Sequence, residues 1–353
     1  MLASNLPAPP TPVSSPSPAE VWAGLVAPYA EFLDEVSSEL ARQIDSFEPE
    51  IAEHASYVIS NPGKRLRPLL VGLAGGAHEG YGKSLVEVAV VIEMVHLATL
   101  VHDDILDAAE IRRNRPTLAS RLGNDVTVLL GDCLFAHALR LAASFPTTEV
   151  CAAVAQATKR VCSGEILQTL NQAKHHTQAH YLKVIEMKTA ELFALSCDLG
   201  AAFGSAMDSE RRSLRQYGLS LGTAYQIFDD CLDIFGDEAH TGKSLGTDLM
   251  KEKKTLPVLL LLEKSNPDEK KQIISKLNDW DRCHIPWLMK RMASQHILEQ
   301  SQCFIRDVLE SSRRCLDAME GSRVAAPLYK LSQFLELKVD EMAPNIPPGT
   351  DPT

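Results

Sequence analysis

Apolar residues along this chain recur at helical spacing, and no stretch alternates with the period of two expected of a half-buried strand ending in a hairpin turn. Tyr29, Leu33, Val36, Leu40 and Ile44 step by four, three, four and four, one face of a helix starting after Pro28. From Val86 to Val101 the chain is apolar almost all round, broken only by Glu87, Glu93, His96 and Thr99, which predicts a helix at the centre of a bundle. Further helices are predicted over about 64–77, 125–143, 148–170, 179–204, 208–235, 252–264, 268–278, 286–319 with a break, and 323–341. Asp208, after Gly204 and Ser205, is expected to cap one of them. The fold class is therefore all-α, one large bundle of ten or more helices without an internal repeat.

Proline sets the boundaries. Six of the 20 prolines fall in residues 1–18 and four in 344–352, so 1–18 and 343–353 are expected as disordered tails around one all-helical domain over 19–342. The remaining prolines fall mostly at helix ends. With 35 Lys and Arg against 46 Asp and Glu the formal charge is −11, and no basic block stands out, which argues against nucleic acid or a membrane surface as partner. The first basic residue is Arg42, so no secretory or transit segment is expected, and the apolar run Thr255–Leu262 is too short to cross a bilayer. A cytoplasmic location follows as the expectation, and the eight cysteines, with no Cys-x-x-Cys pair, are expected as reduced thiols.

Two patterns mimic known motifs without the required geometry. Gly236–Ser244 and Gly76–Ser84 are each one residue too long for a phosphate-binding loop, and neither follows a strand. His175, His176 and His180 stand in a polar stretch with no Glu between them, so a solvated loop is expected there rather than a zinc site.

The chemistry is concentrated elsewhere. The buried helix runs into His102-Asp103-Asp104-Ile105-Leu106-Asp107, and a second apolar segment ends in Phe228-Asp229-Asp230-Cys231-Leu232-Asp233. In each, the first and last Asp lie one turn apart on one helix face. Like charges at this spacing destabilise a helix, and a helix C-terminus disfavours anions, so local physics opposes both clusters. Two copies of Asp-Asp-x-x-Asp, each followed by basic residues, point instead to a hard cation: Mg²⁺ held by carboxylates from both motifs, clamping a diphosphate. Lys64 and Arg67 at the start of a predicted helix, Arg112 and Arg113 after the first motif, and Lys188, Lys243 and Lys253 further on could hold two diphosphates.

These residues stand in a familiar order. Gly-Lys-Arg-Leu-Arg-Pro at 63–68, Ile-Glu-Met-Val-His at 92–96, Leu-Val-His-Asp-Asp-Ile-Leu-Asp at 100–107 and Arg-Arg-Asn-Arg-Pro-Thr at 112–117 come first. Gly-Asp at 131–132, Gly-Glu-Ile-Leu-Gln at 164–168, Lys-Thr-Ala at 188–190, Tyr-Gln-Ile-Phe-Asp-Asp-Cys-Leu-Asp at 225–233, Gly-Lys at 242–243 and Lys-Lys-Thr-Leu-Pro at 253–257 follow. From about Val21 to Asp340 the chain resembles the trans-isoprenyl diphosphate synthases, or polyprenyl synthetases. The resemblance implies an isoprenoid synthase bundle around a central cavity, usually as a homodimer. It implies that Lys64, Arg67, His96 and Arg113 hold the diphosphate of isopentenyl diphosphate. Asp103, Asp107 and Asp229 would ligate Mg²⁺, three ions per site, with Asp104, Asp230 and Asp233 in support. Arg112, Lys188, Lys243 and Lys253, with Thr189 and Gln226, would contact the allylic diphosphate. Asn114, Glu252 and Lys338 depart from the family pattern, which usually has Gly, Gly and Arg there, and bear on loop geometry and C-terminal contacts.

The implied reaction ionises an allylic diphosphate and joins its first carbon to isopentenyl diphosphate, giving an all-trans polyprenyl diphosphate. Small residues at Ala98 and Thr99, beneath the first motif, predict a tunnel open to products longer than twenty carbons. A short-chain farnesyl or geranylgeranyl diphosphate synthase is the alternative, with the floor set by Met94, Val95 or Phe135. A terpene cyclase would carry Asn, Ser and Glu in its second metal site, and a regulatory subunit tends to lose one motif; both motifs here are intact.

Overall fold

Local chemistry sets the start of the first helix. In the computed structural model, which describes residues 17–60, 63–170, 177–236, 246–251, 253–319 and 321–342, Ser17 and Glu20 form a reciprocal capping box that opens α1 (Pro18–Val26). Pro18, expected in the tail, is thus the first helical residue, where a missing N–H breaks no hydrogen bond. The tails at 1–16 and 343–353 lie outside the described residues.

The helices continue as α2 (Ala30–Ile44), α3 (Pro49–Ile59), α4 (Leu66–Gly75) and the long α5 (Lys83–Leu106). A short antiparallel ladder of β1 (Ile111–Arg112) and β2 (Arg115–Pro116) comes next, then α6 (Leu118–Leu122), α7 (Asn124–Ala143) and α8 (Glu149–Leu170). After them stand α9 (Gln178–Ile185), a π-helical turn at Glu186–Ala190, α10 (Glu191–Phe203) and α11 (Asp208–Phe235). The C-terminal part holds α12 (Thr247–Met250), α13 (Leu256–Lys264), α14 (Pro267–Asn278), α15 (Ile285–Ser294), α16 (Ile297–Arg314) and α17 (Ala325–Asp340). The fold is all-α, as its periodicity implies.

Helices α1, α3, α6 and α12 fall outside the ranges expected from periodicity, and the other helices differ from expectation at their ends. The hairpin went unread because two residues per strand leave no period to detect. Arg65 adopts φ 48°, so α4 begins at Leu66 and Lys64 stands before the helix rather than on its first turn. Thr255 is extended, so α13 starts at Leu256 and Lys253 lies in the segment leading to it. His296, at φ 54°, divides the segment expected over 286–319. Met207, not Asp208, precedes the first turn of α11, and its amide donates to the Glu210 carboxylate at 2.8 Å.

Helix α5 runs through the core, packed by α2, α4, α7 and α10, with Val88, Ala89, Val91, Ile92, Met94 and Ala98 fully buried. Helix α10 packs in turn against α4 and α11. Glu191, 1% exposed, accepts a hydrogen bond from Arg215 of α11 at 2.5 Å and forms an ion pair with Arg160 of α8 at 2.8 Å, so two guanidiniums neutralise a buried charge and tie three helices together. Both α5 and α7 reach the length and hydropathy of a membrane span, which the apolar runs read from sequence did not; the most apolar stretch of α5 is 67% buried in the bundle and that of α7 39%. All eight cysteines are free.

Candidate active site

One cavity lies beside the second Asp motif. Its volume is about 110 Å³, and Gln168, Tyr181, Lys188, Thr189, Gln226 and Lys253 are among its walls, with Asp230 and Asp248. Along α5, the half-buried residues Glu93, His96, Thr99, Leu100 and Asp103 share one face, between the buried Met94, Val95, Leu97, Ala98 and Val101. Asp107, at the end of α5, receives Lys253 and Lys251, each ammonium 3.1 Å from one carboxylate oxygen. Burial works to raise this carboxyl, but the two lysines outweigh it and hold it below the usual carboxylate value. Lys253 also lies 3.9 Å from Asp248, whose amide donates to Asp233 at 3.0 Å, so the two motifs are linked through one lysine.

The second motif divides its labour. Asp230, 5% exposed, accepts the Tyr181 hydroxyl at 2.5 Å and the Gln226 amide at 2.7 Å; the Gln226 carbonyl accepts the Thr189 hydroxyl at 2.9 Å. Asp233 accepts the Thr247 amide and hydroxyl at 3.2 and 2.6 Å besides the Asp248 amide, and so anchors the start of α12. Asp229 stays half-buried, with Lys64, Tyr225 and Asp248 in its electrostatic environment. Burial drives Asp103 and Asp230 above the usual carboxylate range, and burial together with Asp233 pushes Asp248 up to about 6. Among the described residues no group of three or more His, Cys, Asp or Glu side chains is gathered closely enough to hold a metal ion, but Asp107 helps raise Asp103 and Asp233 helps raise Asp248, and paired oxygen donors of this kind are what a hard divalent cation takes.

The π turn carries Lys188 and Thr189, as π segments often do at functional sites. Lys188 pairs with Glu165 of α8, and Gly164 lets the strands of chain approach: a Cβ there would lie 2.8 Å from the Lys188 amide nitrogen. Burial opposes the Lys188 charge, yet Asp103 and Glu165 hold its pKa above the ordinary lysine value.

A basic corner stands beside these carboxylates. Arg112 binds Asp104 at 2.5 Å. Arg113 and Asn114 form the hairpin turn at φ 50° and 60°, so Asn takes the left-handed position where the family pattern has Gly, a conformation Asn tolerates better than most residues. The Arg113 guanidinium lies against Gly63, where a Cβ would come within 2.4 Å of it. Arg67 rests over the Phe193 ring at 5.1 Å, and its buried Nε has no hydrogen-bond partner among the described residues. Lys64 lies 5.9 Å from the Phe334 ring centre, with Lys338 close enough to help burial lower its pKa. Burial, then Arg67, Arg113 and Arg112, hold His96 well below the usual imidazole value, so it is neutral at pH 7.

Most expected residues therefore meet. Lys243 and Glu252 lie outside the described residues. Ala98 is 0% exposed, whereas Thr99 shares the half-buried face of α5 and donates its hydroxyl to the His96 carbonyl at 2.7 Å. Sequence reasoning missed Glu93, Glu165, Tyr181, Asp248 and Lys251. Glu165 and Glu93 stood inside quoted motifs without a role; the others are brought in only by tertiary contact.

The polyprenyl synthetase family model matches residues 48–285. The octaprenyl diphosphate synthase of Escherichia coli (strain K12) is 32% identical over 251 residues, 71% of this chain and 78% of the relative. A decaprenyl diphosphate synthase structure from Rhodobacter capsulatus superposes with a TM-score of 0.83 at 30% identity, covering 91% of this chain and 99% of that one. A polyprenyl synthase from Caulobacter crescentus CB15, complexed with calcium and isoprenyl diphosphate, gives 0.83 at 29% identity, covering 91% and 98%.

Proposed function

Because the chain belongs to the polyprenyl synthetase family, and is by that membership a prenyltransferase, we propose that it condenses isopentenyl diphosphate with an allylic diphosphate to make an all-trans product longer than twenty carbons. The observation that carries this reading is that the two Asp motifs meet at one lysine: Lys253 pairs with Asp107 of the first and lies 3.9 Å from Asp248, which is bound to Asp233 of the second, and it lines one cavity with Lys188, Thr189, Gln226 and Asp230. Asp103, Asp107 and Asp229 would hold Mg²⁺, with Asp104, Asp230 and Asp233 fixed by their own partners as supports. When bound, the metal supplies positive charge to the departing diphosphate.

The protein's own residues divide the rest. Lys188, Thr189, Gln226 and Lys253 receive the allylic diphosphate; Lys188 and Lys253 exchange their carboxylate partners for phosphate oxygens, and Arg112 adds charge from the hairpin. Lys64, Arg67 and Arg113 hold the second diphosphate, with neutral His96 as a hydrogen-bonding neighbour. Fixed cations favour the anion that builds as the allylic C–O bond breaks, its electron pair leaving with diphosphate. The isopentenyl double bond supplies the pair for the new bond to the allylic first carbon. Loss of a proton beside the resulting centre, to the released diphosphate, restores an allylic product. Apolar walls keep water from the cation.

Chain length rests on the half-buried face of α5. Thr99 is small and leaves it open at a position where a larger side chain would block growth. The exposed apolar face of α7, where Val126, Leu129, Cys133 and Ala136 step by three, four and three, supports a homodimer.

The test is product mass. Purified protein with Mg²⁺, isopentenyl diphosphate and farnesyl or geranylgeranyl diphosphate should extend the primer past twenty carbons. Thr99→Phe should shorten the ladder. No elongation from any primer by folded, metal-supplied protein would overturn the assignment, and a wild-type ladder ending at fifteen or twenty carbons would overturn the product length alone.

A further inference from the structure

We propose that Tyr57, outside the cavity, is a positioning residue that fixes the Arg112–Arg113 hairpin against the segment carrying Lys64 and Arg67. The proposal rests on the reading above, in which Arg113 helps hold the diphosphate of isopentenyl diphosphate.

The hairpin cannot hold itself. Its ladder has two residues on each side, and an isolated two-stranded pair is marginal even when longer. Its turn puts two non-glycine residues, Arg113 and Asn114, in the left-handed region, a conformation that persists only when surrounding structure enforces it. The enforcing contacts come from the end of α3. The Tyr57 ring has the guanidiniums of Arg115 and Arg121 over it, 4.2 and 4.3 Å from its centre. Its hydroxyl donates to the Pro116 carbonyl at 2.8 Å, and one turn on, Ser60 accepts from Arg115 at 2.9 Å.

Arg115 and Pro116 pair with Arg112 and Ile111, so the ring that grips β2 also sets β1 and the turn between them. The same turn lays Arg113 on the Gly63 backbone. The end of α3, β2 and the Gly63 backbone thus form one braced corner, with the Tyr57 side chain on Arg115, Pro116 and Arg121. Arg113 stands in the turn that this brace sets, so loosening the brace should displace it.

The experiment compares steady-state kinetics of the full chain as wild type, Tyr57→Phe, Tyr57→Ala, Arg113→Ala and the Tyr57→Ala/Arg113→Ala double variant, each checked for folding by thermal melting. Small displacements of a binding group cost heavily, so Tyr57→Ala should raise the KM for isopentenyl diphosphate about tenfold while kcat and the allylic KM stay within about threefold. Tyr57→Phe keeps the ring between the two arginines and should stay within about threefold on every constant. In the Arg113→Ala background, Tyr57→Ala should add no further rise, because the group it positions is gone. An unchanged isopentenyl KM in Tyr57→Ala, or the same fold-rise with and without Arg113, overturns the proposal. If Arg113→Ala leaves that KM unchanged, the substrate assignment fails and the proposal falls with it. Should Tyr57→Ala not fold, Arg121→Gln removes one of the stacked guanidiniums; a rise of about threefold in the isopentenyl KM supports the brace, and none overturns it.

Discussion

Asp229 and Asp233 are alike in sequence position and unlike in what surrounds them. Asp233 spends its carboxylate on three donors from Thr247 and Asp248, whereas Asp229 is half-buried within the electrostatic reach of Lys64, Tyr225 and Asp248. Replacing Asp233 with Ala therefore removes what amounts to a cap on α12, which costs about 1 kcal/mol, and should lower the melting temperature by about 1–2 °C for a chain of this size. Asp229→Ala should lower kcat by about 100-fold or more, the scale of losing a main electrostatic stabiliser. Parallel melting curves and turnover assays check both; equal effects at the two positions would dissolve the distinction. The motif itself was legible, because repeated carboxylates at one-turn spacing oppose helix electrostatics twice over. Which member faces the cavity was not, since Tyr181, Thr247 and Asp248 reach the motif only through the fold.

At the scale of elements, His137 joins α2 to α7. Its Nε2 lies 3.0 Å from the Gln43 side-chain oxygen and 2.9 Å from Arg140, and its ring meets Phe47 edge-on. Burial, with Arg140 beside it, lowers its pKa from the ordinary 6.5. The unfolded chain therefore takes up this proton first as pH falls, so the histidine's contribution is complete above 6.5 and declines as pH drops through and below it. Between about pH 8 and pH 5.5, His137→Gln should lose less of its urea midpoint than wild type does, and an equal loss would remove His137 as a source of acid sensitivity. Most helix interiors were legible, since apolar periodicity survives any tertiary context. Ends were less so: Arg65 and His296 hold positive φ without being glycine, and no residue preference announces that. The Arg113–Asn114 turn hid for the same reason.

Across the whole molecule, α7 carries four of the exposed large apolar side chains, Val126, Val128, Leu129 and Leu139. Leu129, 63% exposed, is a side chain a second copy would cover. Leu129→Glu should convert the protein to a monomer with a melting temperature within a few degrees of wild type, read by light scattering after size exclusion; a wild-type chain that is itself monomeric would refute the homodimer. The all-helical class and the meeting of distant motifs were legible from order and spacing alone. The partner face was not, because an apolar stripe on a helix looks the same in sequence whether it turns inward or out. The π turn at Glu186–Ala190 has a consequence for the same long axis. A helix advances about 100° per residue, so excising one residue there would let the rod run in regular phase and swing Tyr181 by about 100° from Asp230, while Glu191 stayed seated between Arg160 and Arg215. The extra residue acts as a phase shifter between a half of the rod that serves chemistry and a half that serves cohesion.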